Sequence, residues 1–216
     1  MLCCVSAAVA DSGQVPGVCI HVYNYAGVPA WEMTRAQVEA EEVLARAGIE
    51  TRWAEFLVDR EGGVRQANGK DECGLGDEQG PTDLILGVVP RAMAQTFRLS
   101  AADLGFALLP AEKGEFGNRA NVFFERVSLL GESSGASRAL ILGHAMAHEI
   151  GHLLLGAGSH SRSGIMRAPW GRNEFRRAAT GSLHFTTGEA SRMRRQVRAR
   201  IRFEKAQAQA QAMLDR

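Results

Sequence analysis

The chain has 216 residues, of which 45% are hydrophobic and 23% charged, and this ordinary globular composition excludes a collagen, a coiled coil or a fully disordered chain. Its 25 Lys and Arg residues nearly balance its 24 Asp and Glu residues, so the net charge of +1 gives no overall attraction to nucleic acid or anionic membranes. No apolar run reaches the ~18 residues that a membrane-spanning helix needs, and no membrane span is expected.

Residues 1–16 are interpreted as a signal-peptide remnant or a disordered N-terminus. Ala8-Val9-Ala10 has the small-x-small form of a signal-peptidase site, although no positively charged stretch precedes it. We therefore expect an exported protein, secreted or periplasmic, with a frayed apolar N-terminus as the alternative. Cleavage after Ala10 would leave Cys19 and Cys73, which could then form a disulfide. The chain has no C-x-x-C pair, so a zinc site made of thiolates is not expected.

The first 58 residues predict a strand, a helix and a second strand. Residues 18–25 are rich in β-branched and aromatic residues, which is typical of a strand. Residues 29–47 have apolar residues at helical spacing, and Gly48 is a helix stop. Residues 49–58 return to strand character. This order is typical of a parallel crossover unit.

The next segments predict a long polar loop at 59–82 and three short strands at 83–89, 104–109 and 121–127. After a loop at 131–137, residues 138–155 form a helix that is apolar on nearly all sides and is therefore buried. Gly156 and Gly158 end this helix. A last helix is predicted from Thr186–Glu189 to about residue 203.

Four of the six histidines lie between residues 144 and 160, and three residues there form an H-E-x-x-H pattern: His148, Glu149 and His152. Positions i and i+4 share one helix face and lie about 6 Å apart along the axis, so the two imidazoles can converge on one zinc ion. Glu149 can reach a water beside that ion. The pattern predicts a metal-dependent hydrolase with Glu149 as general base, and the alternative is a buried helix whose histidines bond to the backbone.

A catalytic zinc ion takes three protein ligands and leaves one position for water. His144 lies about 12 Å along the helix axis from His152, too far for both to bind one ion, so His144 is interpreted as a core or supporting histidine. Gly156 and Gly158 can adopt positive φ angles and turn the chain back. His160 is therefore the predicted third ligand.

The segment from His148 to Met166, HEIGHLLLGAGSHSRSGIM, resembles the metzincin zinc peptidases, and most closely their matrixin-type branch. The resemblance is carried by H-E-x-x-H followed by a glycine turn and a third histidine, and by residues 163–166, which resemble the Met-turn beneath the metal. The family pattern places the third histidine six residues after the second. His160 lies eight residues after His152, so two additional residues must be accommodated before it.

The resemblance implies an α/β (α+β) fold with a twisted, mixed and mainly parallel sheet, an active-site helix and a C-terminal helix. The metzincin-like catalytic domain would cover residues 17–204, with a tail at 205–216. One catalytic Zn²⁺ and a peptide or protein substrate are implied, with endopeptidase activity. In metzincins an edge strand pairs with the extended substrate. By position this strand is Gly105-Phe106-Ala107-Leu108.

Two other interpretations stay open. In gluzincin-type peptidases the third ligand is a glutamate from a later helix, and Glu174 follows His152 by 22 residues. Zinc could instead stabilise a non-catalytic binding domain. Glu149 argues against this second alternative, because a structural site has no use for a base beside its ligands and usually has four protein ligands.

The predicted C-terminal helix is crowded with arginines, at positions Arg192, Arg194, Arg195, Arg198, Arg200 and Arg202. One interpretation is a basic patch that binds nucleic acid or an anionic surface. The net charge favours the alternative, a solvated outer helix face. No nucleic-acid partner is therefore expected.

Overall fold

The structure is a computed structural model that describes residues 14–67, 73, 80–96, 100, 103–110, 112 and 115–214. Most of the predicted N-terminal segment 1–16 lies outside these residues. Within them, no helix combines the length and the apolar character that crossing a membrane requires.

The described residues form an α/β fold around a six-stranded, mainly parallel sheet. Its strands are β1 (Gly17–Asn24), β2 (Glu50–Val58), β3 (Val64–Gln66), β4 (Asp83–Val89), β5 (Gly105–Leu108) and β6 (Arg119–Phe123), in the spatial order β3-β2-β1-β4-β6-β5. The four central strands are parallel, and the two edge strands β3 and β5 run antiparallel to their neighbours. Every residue of β4 after Asp83 is buried, as expected of a central strand in such a sheet.

The helices are α1 (Ala30–Arg46), α2 (Arg91–Ala94), α3 (Phe124–Ser134), α4 (Arg138–Leu155), α5 (Arg172–Ala179) and α6 (Thr187–Leu214). The main hydrophobic core joins apolar side chains of β1 and β4 to those of α1, α4 and α6. As predicted, α4 is buried along most of its length, which places the H-E-x-x-H segment inside the molecule.

α4 is fixed closely against α1. A Cβ atom added at Gly143 would lie 2.5 Å from the carbonyl oxygen of Ala36, so only glycine permits this approach. At the beginning of α4, Arg138 donates to both carboxylate oxygens of Glu32, at 2.9 and 2.8 Å. Glu32 is buried, and a two-pronged ion pair of this kind fixes both position and orientation.

The predicted strand at 121–127 was wrong in its second half. β6 ends at Phe123 and α3 begins at Phe124. α3 continues to Ser134 and therefore includes residues 131–134, which were predicted as loop. Val127 and Gly131 are four residues apart and both buried, which is the spacing of one helix face. The β-branched and aromatic residues of this segment masked that spacing.

Three further elements depart from the prediction. The predicted loop 59–82 contains β3, which follows a turn in which Asp59 Oδ1 accepts hydrogen bonds from two backbone N–H groups. The short helix α5 follows a stretch rich in Gly, Ser and Pro, and no helix was predicted at its position. The last helix begins as predicted, with reciprocal hydrogen bonds between Thr186 and Glu189, but continues to Leu214. Most of the predicted tail is therefore helical.

Arg200 of α6 does not belong to a solvated outer face. Its side chain is fully buried and donates to three backbone carbonyls, those of Pro81, Gly117 and Leu153, each at 2.8 Å. The expectation of an exposed arginine was wrong because a guanidinium group can satisfy several carbonyls at once. Arg200 ties α6 to the last turn of α4.

Cys19 and Cys73 form a disulfide, with 5.6 Å between their Cα atoms. The bond joins β1 to a residue 54 positions later in the chain. The pairing that the sequence left open is therefore made in the structure.

Candidate metal centre and cleft

The three histidines predicted as zinc ligands lie together. The Nε2 atom of His152 is 3.0 Å from Nε2 of His148 and 3.1 Å from Nε2 of His160. In a tetrahedral zinc site with Zn–N bonds of roughly 2.0–2.1 Å, ligand nitrogens are separated by about 3.3 Å. The three side chains therefore form a group that can hold a metal ion.

Two local features bring the histidines together. α4 carries His148 and His152 one turn apart on one face, and its backbone is fixed by packing on α1. Gly156 and Gly158, with φ angles of 84° and 65°, then turn the chain so that His160 returns to the helix. The glycine turn accommodates the spacing of eight residues between the second and third histidines.

Each of the two helical histidines has a hydrogen-bond partner behind the cluster. The Nδ1 atom of His148 lies 2.7 Å from the carbonyl oxygen of Ile165, and Nδ1 of His152 lies 2.7 Å from Oγ of Ser159. A carbonyl can only accept, so Nδ1 of His148 carries the proton and its Nε2 has a free lone pair. This is the arrangement by which a ligand histidine is oriented toward a metal.

The two helical histidines are uncharged at neutral pH. Burial lowers the pKa of His148 to about 4. Burial, together with the neighbouring histidines, lowers the pKa of His152 to about 3. Converging imidazole nitrogens without a shared proton repel one another, and a cation among them would remove that repulsion. An all-imidazole donor set suits zinc.

Glu149 is buried beside this cluster, with 3% of its surface exposed. Among the residues that the structure describes, its Oε2 atom has no hydrogen-bond partner. Burial raises the pKa of this carboxyl well above its usual range, and the nearby charge of Asp103 raises it further. An unpaired buried carboxylate is costly, and a bound cation would supply the compensating charge.

A cleft of about 360 Å³ opens over the histidines and Glu149. One wall is β5, the edge strand predicted to bind substrate, and the other wall is the segment 167–170. The predicted residues Gly105, Phe106 and Ala107 line the cleft, whereas Leu108 is 53% exposed and is not among the lining residues. Among the residues that the structure describes, β5 pairs with β6 on one side and with no strand on the other, so β5 is an edge strand of the sheet.

Met166 lies in the core beneath α4 and is fully buried. A Cβ atom added at Gly151, between the two helical histidines, would be 2.7 Å from the Met166 sulfur. The backbone carbonyl of Met166 accepts a hydrogen bond from the N–H of Ser161, directly after His160. The segment 163–166 thus packs against α4 next to the two helical histidines, and it contacts the loop that carries the third histidine.

Glu174 lies outside the histidine cluster. Its Oε1 atom is 2.6 Å from a guanidinium nitrogen of Arg167, and its Oε2 accepts a hydrogen bond from the N–H of Gly171. Both carboxylate oxygens are therefore engaged within the segment 167–174. His144 is also separate, buried with Nδ1 2.9 Å from the carbonyl oxygen of Leu140.

Sequence reasoning missed two residues of the site, Ser159 and Trp170. Trp170 lines the cleft, packs edge-on against His148 at 5.6 Å between ring centroids, and donates to the same Ile165 carbonyl that His148 contacts. A tryptophan shortly after the methionine motif could have suggested a cleft wall. No sequence signal indicates the bond of Ser159, because it depends on the path of the loop.

No family model matches the chain, and no curated protein matches its sequence. Among solved structures, the chain is similar to a zinc-dependent peptidase from Methanocorpusculum labreanum (strain Z). The two share 17% sequence identity with a TM-score of 0.49, over 81% of this chain and 99% of that chain. The activity of this chain must therefore be inferred from its own residues.

Proposed function

We propose that this protein is a zinc-dependent endopeptidase of the metzincin type. The observation that carries the proposal is the convergence of three histidine Nε2 atoms beside the buried carboxylate of Glu149, at the floor of an open cleft. His148, His152 and His160 would hold the ion. A structural zinc site usually has four protein ligands, whereas three leave one position open.

Zinc bound in such a site supplies Lewis acidity, which polarises a peptide carbonyl and makes a nearby water more acidic. Glu149 accepts a proton from the attacking water at its carboxylate as the water oxygen bonds to the carbonyl carbon. Glu149 then donates that proton to the amine nitrogen as the C–N bond breaks. Only 3% of the surface of Glu149 is exposed, so bulk water has little access to its carboxylate.

The edge strand β5 would hold the substrate. It is the last strand in the sheet order and lines the cleft, and an extended peptide can add to such an edge by main-chain hydrogen bonds. The walls are largely apolar, with Phe106, Leu109 and Trp170 among the residues that line them. Met166 would support the site from below, as the Met-turn does in metzincins.

Zinc content tests the metal site first. We expect about one zinc per chain in the dialysed wild-type protein, measured by mass spectrometry. The variant His160→Ala should be largely empty, because two ligands hold the ion far less tightly than three. Equal zinc in both proteins would remove His160 from the site.

Glu149→Gln tests the catalytic role. The amide has nearly the same shape as the carboxylate but cannot accept the proton, so hydrolysis of a fluorogenic peptide mixture should fall by roughly 10²–10⁴. Zinc content should stay at the wild-type level. Unimpaired hydrolysis in this variant contradicts the mechanism, and a zinc-loaded wild type without peptidase activity at any pH would favour the non-catalytic binding domain.

Export of the protein is also proposed. The disulfide between Cys19 and Cys73 supports it, because such bonds persist mainly in oxidising compartments. Fractionation of the producing cells, with the protein found outside the cytoplasm, would agree with export.

A further inference from the structure

The two helical histidines are supported in different ways. Nδ1 of His148 contacts a backbone carbonyl, that of Ile165, which no side-chain substitution can remove. Nδ1 of His152 contacts a side chain, Oγ of Ser159, at 2.7 Å. The orientation of His152 therefore depends on the identity of a single residue.

Ser159 occupies an unusual place between the second and third histidines. The eight-residue spacing from His152 to His160 includes two more residues than the metzincin pattern, and Ser159 is the last residue before His160. Gly156 and Gly158 both have positive φ angles, so the loop folds back and brings Ser159 within hydrogen-bond distance of His152. Ser159 is 6% exposed although it belongs to a loop at the cleft.

We propose that Ser159 is a positioning residue for the metal centre. Its hydroxyl oxygen accepts the Nδ1 proton of His152, which fixes the tautomer and the ring angle that direct Nε2 toward Nε2 of His148 and His160. The turn that brings the third ligand, His160, back to the helix then also provides the hydrogen-bond partner of the second ligand, His152. This inference rests on the proposed metal site.

The physical effect is on the ligand rather than on the reacting atoms. A histidine that donates from one ring nitrogen is a better electron donor at the other, and its ring does not have to be ordered when the ion binds. Loss of such a partner typically weakens metal binding by 10–100-fold. Ser159→Ala removes the hydroxyl and leaves the backbone path of the loop unchanged.

Zinc affinity of the full-length chain, measured by competition with a chromogenic chelator, tests the role. We expect Ser159→Ala to bind zinc about tenfold or more weakly than the wild type, and Ser159→Thr, which keeps a hydroxyl, to recover most of the affinity. Ser161→Ala is the matched control. It also removes a 2.7 Å hydrogen bond of a serine in the same loop, but that bond goes to the carbonyl of Ser163 and not to a ligand.

Cobalt bound in place of zinc provides a second measurement. Its absorption would not change if Ser159 only stabilised the loop. The visible absorption of Co²⁺ depends on ligand geometry, so the band of the cobalt-loaded protein should shift in Ser159→Ala and stay in Ser161→Ala. Wild-type affinity in Ser159→Ala, or equal losses in both alanine variants, would overturn the proposal. Failure of the wild type itself to bind zinc would instead overturn the proposed function, so the two failures are distinguishable.

Discussion

Gly105 shows how one residue can bring the edge strand and the proposed general base, Glu149, together. A Cβ atom at this position would meet the carbonyl oxygen of Asn121 on the neighbouring strand, and it would lie 2.7 Å from Oε1 of Glu149. The absence of a side chain is what lets β5 run directly over the buried carboxylate. β5 and the carboxylate of Glu149 are thereby held at contact distance.

Gly105→Ala should therefore impair hydrolysis without emptying the metal site. The added methyl group must displace either the strand or the Glu149 carboxylate, and displacement of a catalytic group by about 1 Å can cost 10²-fold in rate. Peptide hydrolysis and zinc content of the purified variant measure the two effects. Gly188→Ala is the control, because a Cβ atom there has nothing within 4 Å. Full activity of Gly105→Ala would show that the close approach is unimportant.

The sequence predicts the proposed zinc ligands and base better than it predicts the residues that hold them in place. The H-E-x-x-H pattern and the glycine turn predict a grouping of His148, His152 and His160 beside Glu149, because helix geometry and a positive φ angle are local properties. The bond from Ser159 to His152 joins side chains across a loop whose path was unknown. A local pattern cannot determine it.

Among the elements, α6 is the one whose role was least apparent from sequence. The segment Thr186–Glu189 predicts where it begins, and in the structure these two residues cap the helix with reciprocal hydrogen bonds. The burial of Arg200 was not, since it depends on carbonyls from three distant segments. The first two strands and α1 were predicted almost residue by residue, because their apolar spacing and their composition indicate the same element. In residues 121–127 the spacing and the composition indicate different elements.

Arg200→Met should destabilise the fold, whereas Arg202→Met should not. Arg200 satisfies three carbonyls in the interior, and hydrogen bonds to a charged group contribute about 1.5–3 kcal/mol each, so we expect a loss of about 3 kcal/mol or more in the free energy of unfolding. Arg202 is exposed on the same helix and should change it by less than about 0.5 kcal/mol. Urea titrations followed by circular dichroism measure both, and equal midpoints for the two variants would contradict this role.

At the scale of the whole molecule, the disulfide that stabilises the sheet and the segments that form the cleft are different parts of the chain. The cleft is made by α4, β5 and the segments 157–160 and 167–170, and β5 is the strand at one end of the sheet order. The disulfide lies elsewhere, between β1 and Cys73, and contributes no residue to the cleft. Stability and metal binding should therefore respond to different treatments.

Reduction of the disulfide tests this separation. The bond closes a separation of 54 residues, and the loss of chain entropy in the unfolded state corresponds to about 4 kcal/mol. Reductant should lower the urea midpoint of the wild type and leave that of the double variant Cys19→Ala/Cys73→Ala unchanged. Because the double variant keeps Cys3 and Cys4, it also controls for any effect of reductant on those two residues. Zinc content at low urea should not fall on reduction, because the three proposed histidine ligands come from α4 and the loop after it. A zinc loss that accompanies reduction would show that the sheet and the metal centre are coupled.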